Sequence, residues 1–250
     1  MKEYRIQFDD PSPPRKKIAI LGFSESTMDL APYHDPSWAI WGENQLYRFL
    51  PRATRWYEMH ADPLADQVAG TDYAAWMRAC PIPLVMLERH PAYPSSVRYP
   101  IDERVAQFGE YFASSIAYMI ADAIAEGAEE IGVWGVDMIH ESEYGYQKPS
   151  CEALLYYAKG AGIKVTIPEQ SALLKPYGLS GWRYGYHPMP FDQWATVIAD
   201  RKAGIAAKIA AASEELARWK GAADEQAYWA SVHEREQRGG ALAGLRPVST

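Results

Sequence analysis

The stretch KIAILGFSES, residues 17–26, sets the frame for the whole chain. An unbroken apolar run, Ile18 to Leu21, meets Gly22 and then the small hydroxyls Ser24 and Ser26. A strand buried on both faces reads as such a run, without polar alternation. A glycine followed by small polar residues is how it opens into a loop and a helix. The stretch therefore predicts the first strand–helix unit of a doubly wound parallel sheet. Working outward, the same pattern recurs in WAIWGEN (38–44), RWYEMHA (55–61), PLVMLER (83–89), IGVWGVDM (131–138) and GIKVTIP (162–168).

Helical periodicity fills the spaces between. Residues 101–127 keep a 3.6-residue apolar repeat through Val105, Phe108, Phe112, Ile116, Met119, Ile120 and Ile124. Asp102 and Glu103 suit a helix N-terminus, and Gly127 suits a C-terminal cap. A second helix is expected at 150–160. Beyond Pro188 the chain turns Ala-rich and charged, with no β-branched runs. That predicts one long helix, or a hairpin turning near 220–223. The expected architecture is α/β: a mainly parallel sheet with helices on both faces and a C-terminal α-helical appendage. The expected domains are 1–187 for the α/β unit, 188–240 for the helical appendage and 241–250 for a flexible tail.

Composition narrows the function classes. The chain has 250 residues and a net charge of −7. An acidic protein has no general attraction for nucleic acid or anionic membranes. Cys80 and Cys151 form no C-x-x-C pair and read as reduced structural thiols. No apolar run reaches the ~20 residues of a membrane span, and the N-terminus has no secretory apolar region. A cytoplasmic location is expected. Nine Trp and 17 Tyr are many for this length. They serve either core packing or stacking on a flat ligand.

Ligands of doubly wound sheets bind beyond the carboxyl ends of the strands. Residues 22–26, 42–44, 58–60, 137–147 and 168–171 are therefore expected neighbours. GFSES matches neither the dinucleotide fingerprint nor the P-loop, and no H-E-x-x-H or G-x-S-x-G occurs. Ser24 and Ser26 could donate to a phosphate near a helix start, or simply shape a turn. Of six histidines, His60 and His140 follow predicted strands at the ligand-facing edge. Asp137 reads as a metal ligand, a ribose binder or a turn cap. Ser114 and Ser115 either allow close helix packing or start the helix proper with hydroxyls toward a ligand.

Several motifs in fixed order then resemble a known superfamily. SSIAYMIADAIAEGAEEIGVWGVDM followed by ALLYYAKGAGIKVTIPEQSALL resembles the core of the campylobacter-type bacterial sialyltransferases and of archaeal hydroxymethylpterin pyrophosphokinase-like proteins. GFSES stands in place of their G-x-G-P-S loop, and GENQLY resembles their C-N-Q-F-Y. The resemblance spans about 17–175, with 61–100 unmatched. The stretch WAIWGENQLYRFLPRATRWYEMH also resembles small proteins encoded by tailed phages, which would place the chain in a host cytoplasm.

The resemblance implies a Rossmann-like nucleotide-binding fold and a glycosyltransferase-like activity with a cytidine monophosphate sugar or related nucleotide donor as ligand. It implies Gly22, Phe23 and Ser24 at the nucleotide loop and Asn44 on the donor. It implies Ser114 and Ser115 on phosphate, ribose or sugar, and Tyr144 and Tyr146 on the leaving phosphate. Asp137 joins this nucleotide-binding set. The family's base is a histidine in a longer loop. Here that place holds Glu143, Tyr144 and Gly145, so His140, Glu143 and His60 are the catalytic candidates. Two other activities stay open. One is non-catalytic binding of a nucleotide or small ligand. The other is a pyrophosphokinase-type transfer with a divalent metal on Asp137, Glu141 or Glu143. A small-molecule nucleotide is the expected partner, with self-association through the C-terminal helices.

Overall fold

Seven parallel strands answer the expectation set by residues 17–26. The computed structural model describes residues 1–12, 14–64, 71–138, 144–175 and 191–243, leaving out the side chains of 144, 191–197 and 236–243. In chain order the elements begin with β1 (Gln7–Phe8), β2 (Lys17–Leu21), α1 (Glu25–Met28) and β3 (Trp38–Glu43). A 3-10 turn (Asn44–Arg48), β4 (Arg52–Ala53), β5 (Arg55–Glu58), α2 (Tyr73–Ala79), β6 (Leu84–Met86) and β7 (Ser96–Arg98) follow. Then come α3 (Ile101–Phe108), α4 (Ser115–Ala125), β8 (Glu130–Trp134), α5 (Tyr144–Gly160), β9 (Lys164–Thr166) and α6 (Phe191–Ala243).

The large sheet runs β7-β6-β5-β3-β2-β8-β9, and β1 pairs with β4 beside it. From β2 the chain steps outward through β3, β5, β6 and β7, then returns to the other side of β2 as β8 and β9. The direction of winding therefore reverses between β2 and β8. The fold is a Rossmann-like α/β sheet with this topological switch point.

Strand alternation fills both faces. Ile18, Ile20, Ala39, Trp41, Tyr57, Ile131 and Val133 pack under α4 and α5. Ala19, Leu21, Trp38, Ile40, Trp56 and Leu84 pack against Leu46, Tyr73 and Met77 on the opposite side. Each fully buried large apolar side chain contributes roughly 1.5–3 kcal/mol. Two glycines make room for tryptophans within the sheet. A Cβ on Gly42 would lie 2.3 Å from the Trp56 ring, and one on Gly132 would lie 2.2 Å from Trp134. Arg52, nearly buried, donates to the carbonyls of Tyr33, Asp35 and Trp38 and to Asp9. It thereby fastens the β2–β3 connection and the N-terminal segment to β4.

Several expectations change. Residues 101–127 form two helices, because Gly109 takes φ +79° and Ser114 caps a new start, accepting from the Ala117 N–H at 3.2 Å. The second predicted helix starts earlier, at Tyr144, despite Pro149. β8 stops at Trp134, where Gly135 turns at φ +68°. It is the second strand from an edge, and β3 holds the middle. Residues 220–223 lie inside α6 with no turn. The chain divides into two units, Met1–Arg183 and Tyr184–Thr250.

Candidate functional site at the carboxyl edge of the sheet

At the switch point, the loops after β2 and β8 press together. Gly22 donates its N–H to the Trp134 carbonyl, and the Ser24 N–H donates to the Gly135 carbonyl. A Cβ on Gly22 would lie 2.6 Å from Val136 Cγ2 and 2.7 Å from the Gly135 oxygen. The glycine at 22 is thus required by this loop-to-loop packing. The hydroxyls of Ser24 and Ser26 both donate to Asp137 Oδ2, at 2.5 and 2.6 Å. They are engaged across the switch point, and α1 behind them is a single turn. Asp137 Oδ1 is buried without a hydrogen-bond partner. Phe23, between these anchored residues, is 40% exposed. The loop after β9 closes the far side, with Ser171 Oγ donating to the Val136 carbonyl and the Ala172 N–H to the Asp137 carbonyl. Lys175 Nζ donates to the carbonyls of Pro168, Glu169 and Ser171. Desolvation pulls its pKa below the usual lysine value against the pull of Glu169 and Asp137.

The ends of β3 and β5 are built differently. Both strands finish in a buried glutamate, Glu43 at 6% exposure and Glu58 at 1%. Alternation turns Glu43 toward α4, where the Ser115 hydroxyl hydrogen-bonds to it, and Glu58 toward α2. Burial pushes the Glu43 carboxyl up to about 8; the Ser115 hydrogen bond opposes this and the nearby Glu58 adds to it. Burial thus favours the protonated form of Glu43. Asn44 follows at φ +48°, a left-handed position that asparagine tolerates. Its carbonyl accepts from Trp56 Nε1 at 2.9 Å, while its side-chain Oδ1 is buried and unpartnered.

Glu58 is the hub of a relay. Its Oε2 accepts from the Tyr73 hydroxyl at 2.8 Å, and burial, with Glu58 adding to it, holds that phenol well above its ordinary pKa. Its Oε1 accepts from the His60 N–H at 3.1 Å and contacts His60 Nδ1 at 2.7 Å. With Nδ1–H donated to the carboxylate, Nε2 is left as the lone-pair nitrogen on a ring about half exposed. An imidazole oriented by a buried carboxylate can take a proton from a hydroxyl.

Among the sequence-derived candidates, the structure joins Ser24 to Asp137, sets Asn44 and Ser115 on either side of Glu43, and gives His60 a carboxylate partner. Ser114 lies against Cys151, its Oγ 3.3 Å from Sγ. Burial pushes that thiol up to about 12, and the Cys80 thiol up to about 11. Tyr146 is exposed on α5. Tyr144 opens the same helix, and its side chain lies outside the described residues. His140 and Glu143 lie outside the described residues. Among the described residues, no three His, Cys, Asp or Glu side chains gather as a ligand set for a metal. The Tyr47, Tyr73 and Trp76 rings stack on one another and Trp56 meets Trp76 edge-on, so these aromatics serve packing.

Sequence reading placed 42–44 and 58–60 at this edge but gave Glu43 and Glu58 no role, and it missed Tyr73. The available signal was a carboxylate closing each apolar run, in WAIWGE and RWYE.

No protein-family model matches the chain, and no curated protein does. Among solved structures, it is similar to the sialyltransferase CstII from Campylobacter jejuni in complex with cytidine-5′-monophosphate, at 16% identity and a TM-score of 0.45 over 70% of this chain and 93% of that one. A second structure of the same sialyltransferase, in complex with CMP-3FNeuAc, matches at the same identity and TM-score over 70% and 95%. None of the described helices is long and apolar enough to cross a membrane.

Proposed function

We propose that the protein binds a nucleotide, in the form of a nucleotide-sugar-type donor, along the carboxyl edge of the sheet and transfers its glycosyl group to an acceptor hydroxyl. The observation that carries this is the Tyr73–Glu58–His60 relay at the end of β5. It lies two strand spacings, roughly 10 Å, from the switch point at β2 and β8. In this reading the base of the nucleotide stacks on Phe23. The free oxygens of Asp137 and Asn44 accept hydrogen bonds from ribose or sugar hydroxyls. His60 Nε2 takes the acceptor's hydroxyl proton as the oxygen attacks the anomeric carbon. The bond from that carbon to the phosphate oxygen breaks, and the nucleotide phosphate leaves with the electron pair. Glu58 stabilises the imidazolium that forms, and Tyr73 holds Glu58 in place.

The test is thermal unfolding with nucleoside monophosphates, diphosphates and nucleotide sugars, followed by mass spectrometry of donor and acceptor. A ligand at 100 times its Kd adds about 2.7 kcal/mol to stability. His60→Ala is expected to keep this stabilisation and lose about 10²- to 10⁴-fold in turnover. If no nucleotide stabilises the protein, or if turnover survives His60→Ala unchanged, this reading fails.

A further inference from the structure

The second unit carries a helix whose exposed apolar side chains are arranged for a partner. Helix α6 has 53 residues, a length of about 80 Å. Its residues from 198 to 235 are exposed apart from Val232, which is half-buried. Among the described residues it holds one i,i+4 ion pair, Arg218 to Glu214 at 2.7 Å. Helices of this length are ordinarily held by tertiary packing of one face.

That face is present. Ile198, Ile205, Ile209, Leu216 and Trp219 are 49–69% exposed. At 100° per residue the first four fall within roughly 40° of one another, with Ala212 and Ala223 alongside. Ile198 to Ile209 and Ile205 to Leu216 are both steps of eleven. Eleven residues in three turns is close to the natural helical period, so the stripe runs nearly straight. Two such stripes bury on the order of 1,000 Å² together, the size at which specific interfaces begin.

Charge fixes the occupant and its direction. The first half, 198–210, carries Arg201, Lys202 and Lys208 against Asp200 and is basic; the second, 213–225, carries Glu214, Glu215, Asp224 and Glu225 against Arg218 and Lys220 and is acidic. A parallel copy sets like halves together. An antiparallel copy sets each basic half on an acidic one.

We propose that α6 pairs antiparallel with α6 of a second copy of this chain, crossing near Ala212. Ile209 then sits beside the second copy's Leu216. Lys208 runs along the second copy's Glu215. Small Ala212 at the crossing lets the backbones approach. This pairing is independent of the nucleotide reading, because it uses no residue of the first unit.

The experiment is sedimentation of the full chain over a concentration series, with far-ultraviolet circular dichroism to confirm that helix content is unchanged. The native chain is expected as a dimer. I209E/L216E is expected to raise the dimer Kd about 100-fold or more, since it places charges in the apolar stripe. K208E and E215K are each expected to weaken dimerisation about fivefold, and K208E/E215K to restore it. Residues 208 and 215 have no charged i±4 neighbour, and circular dichroism on E215K checks that changing the charge beside its i,i+3 neighbour Arg218 leaves the helix intact. A native chain that stays monomeric, or a dimer that survives I209E/L216E, overturns the pairing. A dimer that the double exchange does not restore overturns its antiparallel direction.

Discussion

The two halves of the sheet's carboxyl edge treat their polar groups in opposite ways. At β2 and β8, two serine hydroxyls bond one oxygen of the Asp137 carboxylate across the switch point, and two glycines lock the loops in contact. At β3 and β5, two glutamates are buried side by side in the strand order, one raised toward neutrality and the other orienting an imidazole toward solvent. The first half is a fixed frame. The second keeps polar groups in unfavourable surroundings, which a fold sustains only when the rest of the core holds them there. Reading a ligand site by loop composition alone picks the first half, since Gly and Ser are its visible marks. The proposed proton transfer belongs to the second.

The largest expected effect tests the rigidity of the frame. Gly135 has φ +68°, and a Cβ there would lie 2.2 Å from the Gly22 carbonyl oxygen. Neither backbone can yield without breaking the β2–β8 register. Gly135→Ala is expected to cost about 3 kcal/mol or more in urea unfolding, from overpacking and left-handed strain together. Gly145→Ala, where a Cβ meets nothing within 4 Å, is the matched control. Near-equal stability of the two variants would remove the claim that this half is locked.

A smaller effect separates frame from ligand contact. Asp137→Ala removes the acceptor of two short hydroxyl bonds and is expected to cost about 2 kcal/mol. Asp137→Asn keeps one acceptor oxygen and is expected to cost about 1 kcal/mol. If Asp137 also holds a ligand through its unpartnered Oδ1, both variants lose nucleotide-induced stabilisation beyond their own stability loss. Retention of the full thermal shift in Asp137→Ala would confine this residue to the frame.

Much of the fold was legible because parallel strands buried on both faces read as plain apolar runs. KIAIL, WAIWG and EIGVW each became a strand where expected. β7 was not legible. It is a three-residue edge strand, SVR, with Val97 exposed, and it has no apolar run to betray it. The break at 109–114 was hidden because the apolar repeat continues in phase from Phe108 to Phe112 across it. Its marks were Gly109, read as one more helical residue, and Ser114, where a start of the helix proper stood as one of two readings and is the one the structure bears out. At this edge, His60 and Asp137 were singled out by their position after strands. Glu43 and Glu58 were passed over as strand ends, because what distinguishes them is burial from α4 and α2, elements distant in sequence.

The smallest effect isolates the proton on Glu43. Its carboxyl is raised from an ordinary value near 4.5 to about 8 by burial, with Glu58 adding to it. Between those values the folded state holds a proton that the unfolded chain has released. Stability from this group is therefore full below pH 4.5 and falls as pH rises toward 8. The slope for one proton is about 1.4 kcal/mol per pH unit. Between pH 6 and pH 7, Glu43→Gln is expected to flatten the decline by about 1 kcal/mol while keeping a group able to bond Ser115. The same substitution leaves the Glu58–His60 contact in place, so any turnover should keep its dependence on His60. Parallel stability–pH curves for the two proteins would mean that Glu43 is already ionised in the fold. The β3–β5 half would then lack its protonated carboxyl, and its contrast with the serine-bonded Asp137 at β2 and β8 would rest on His60 alone.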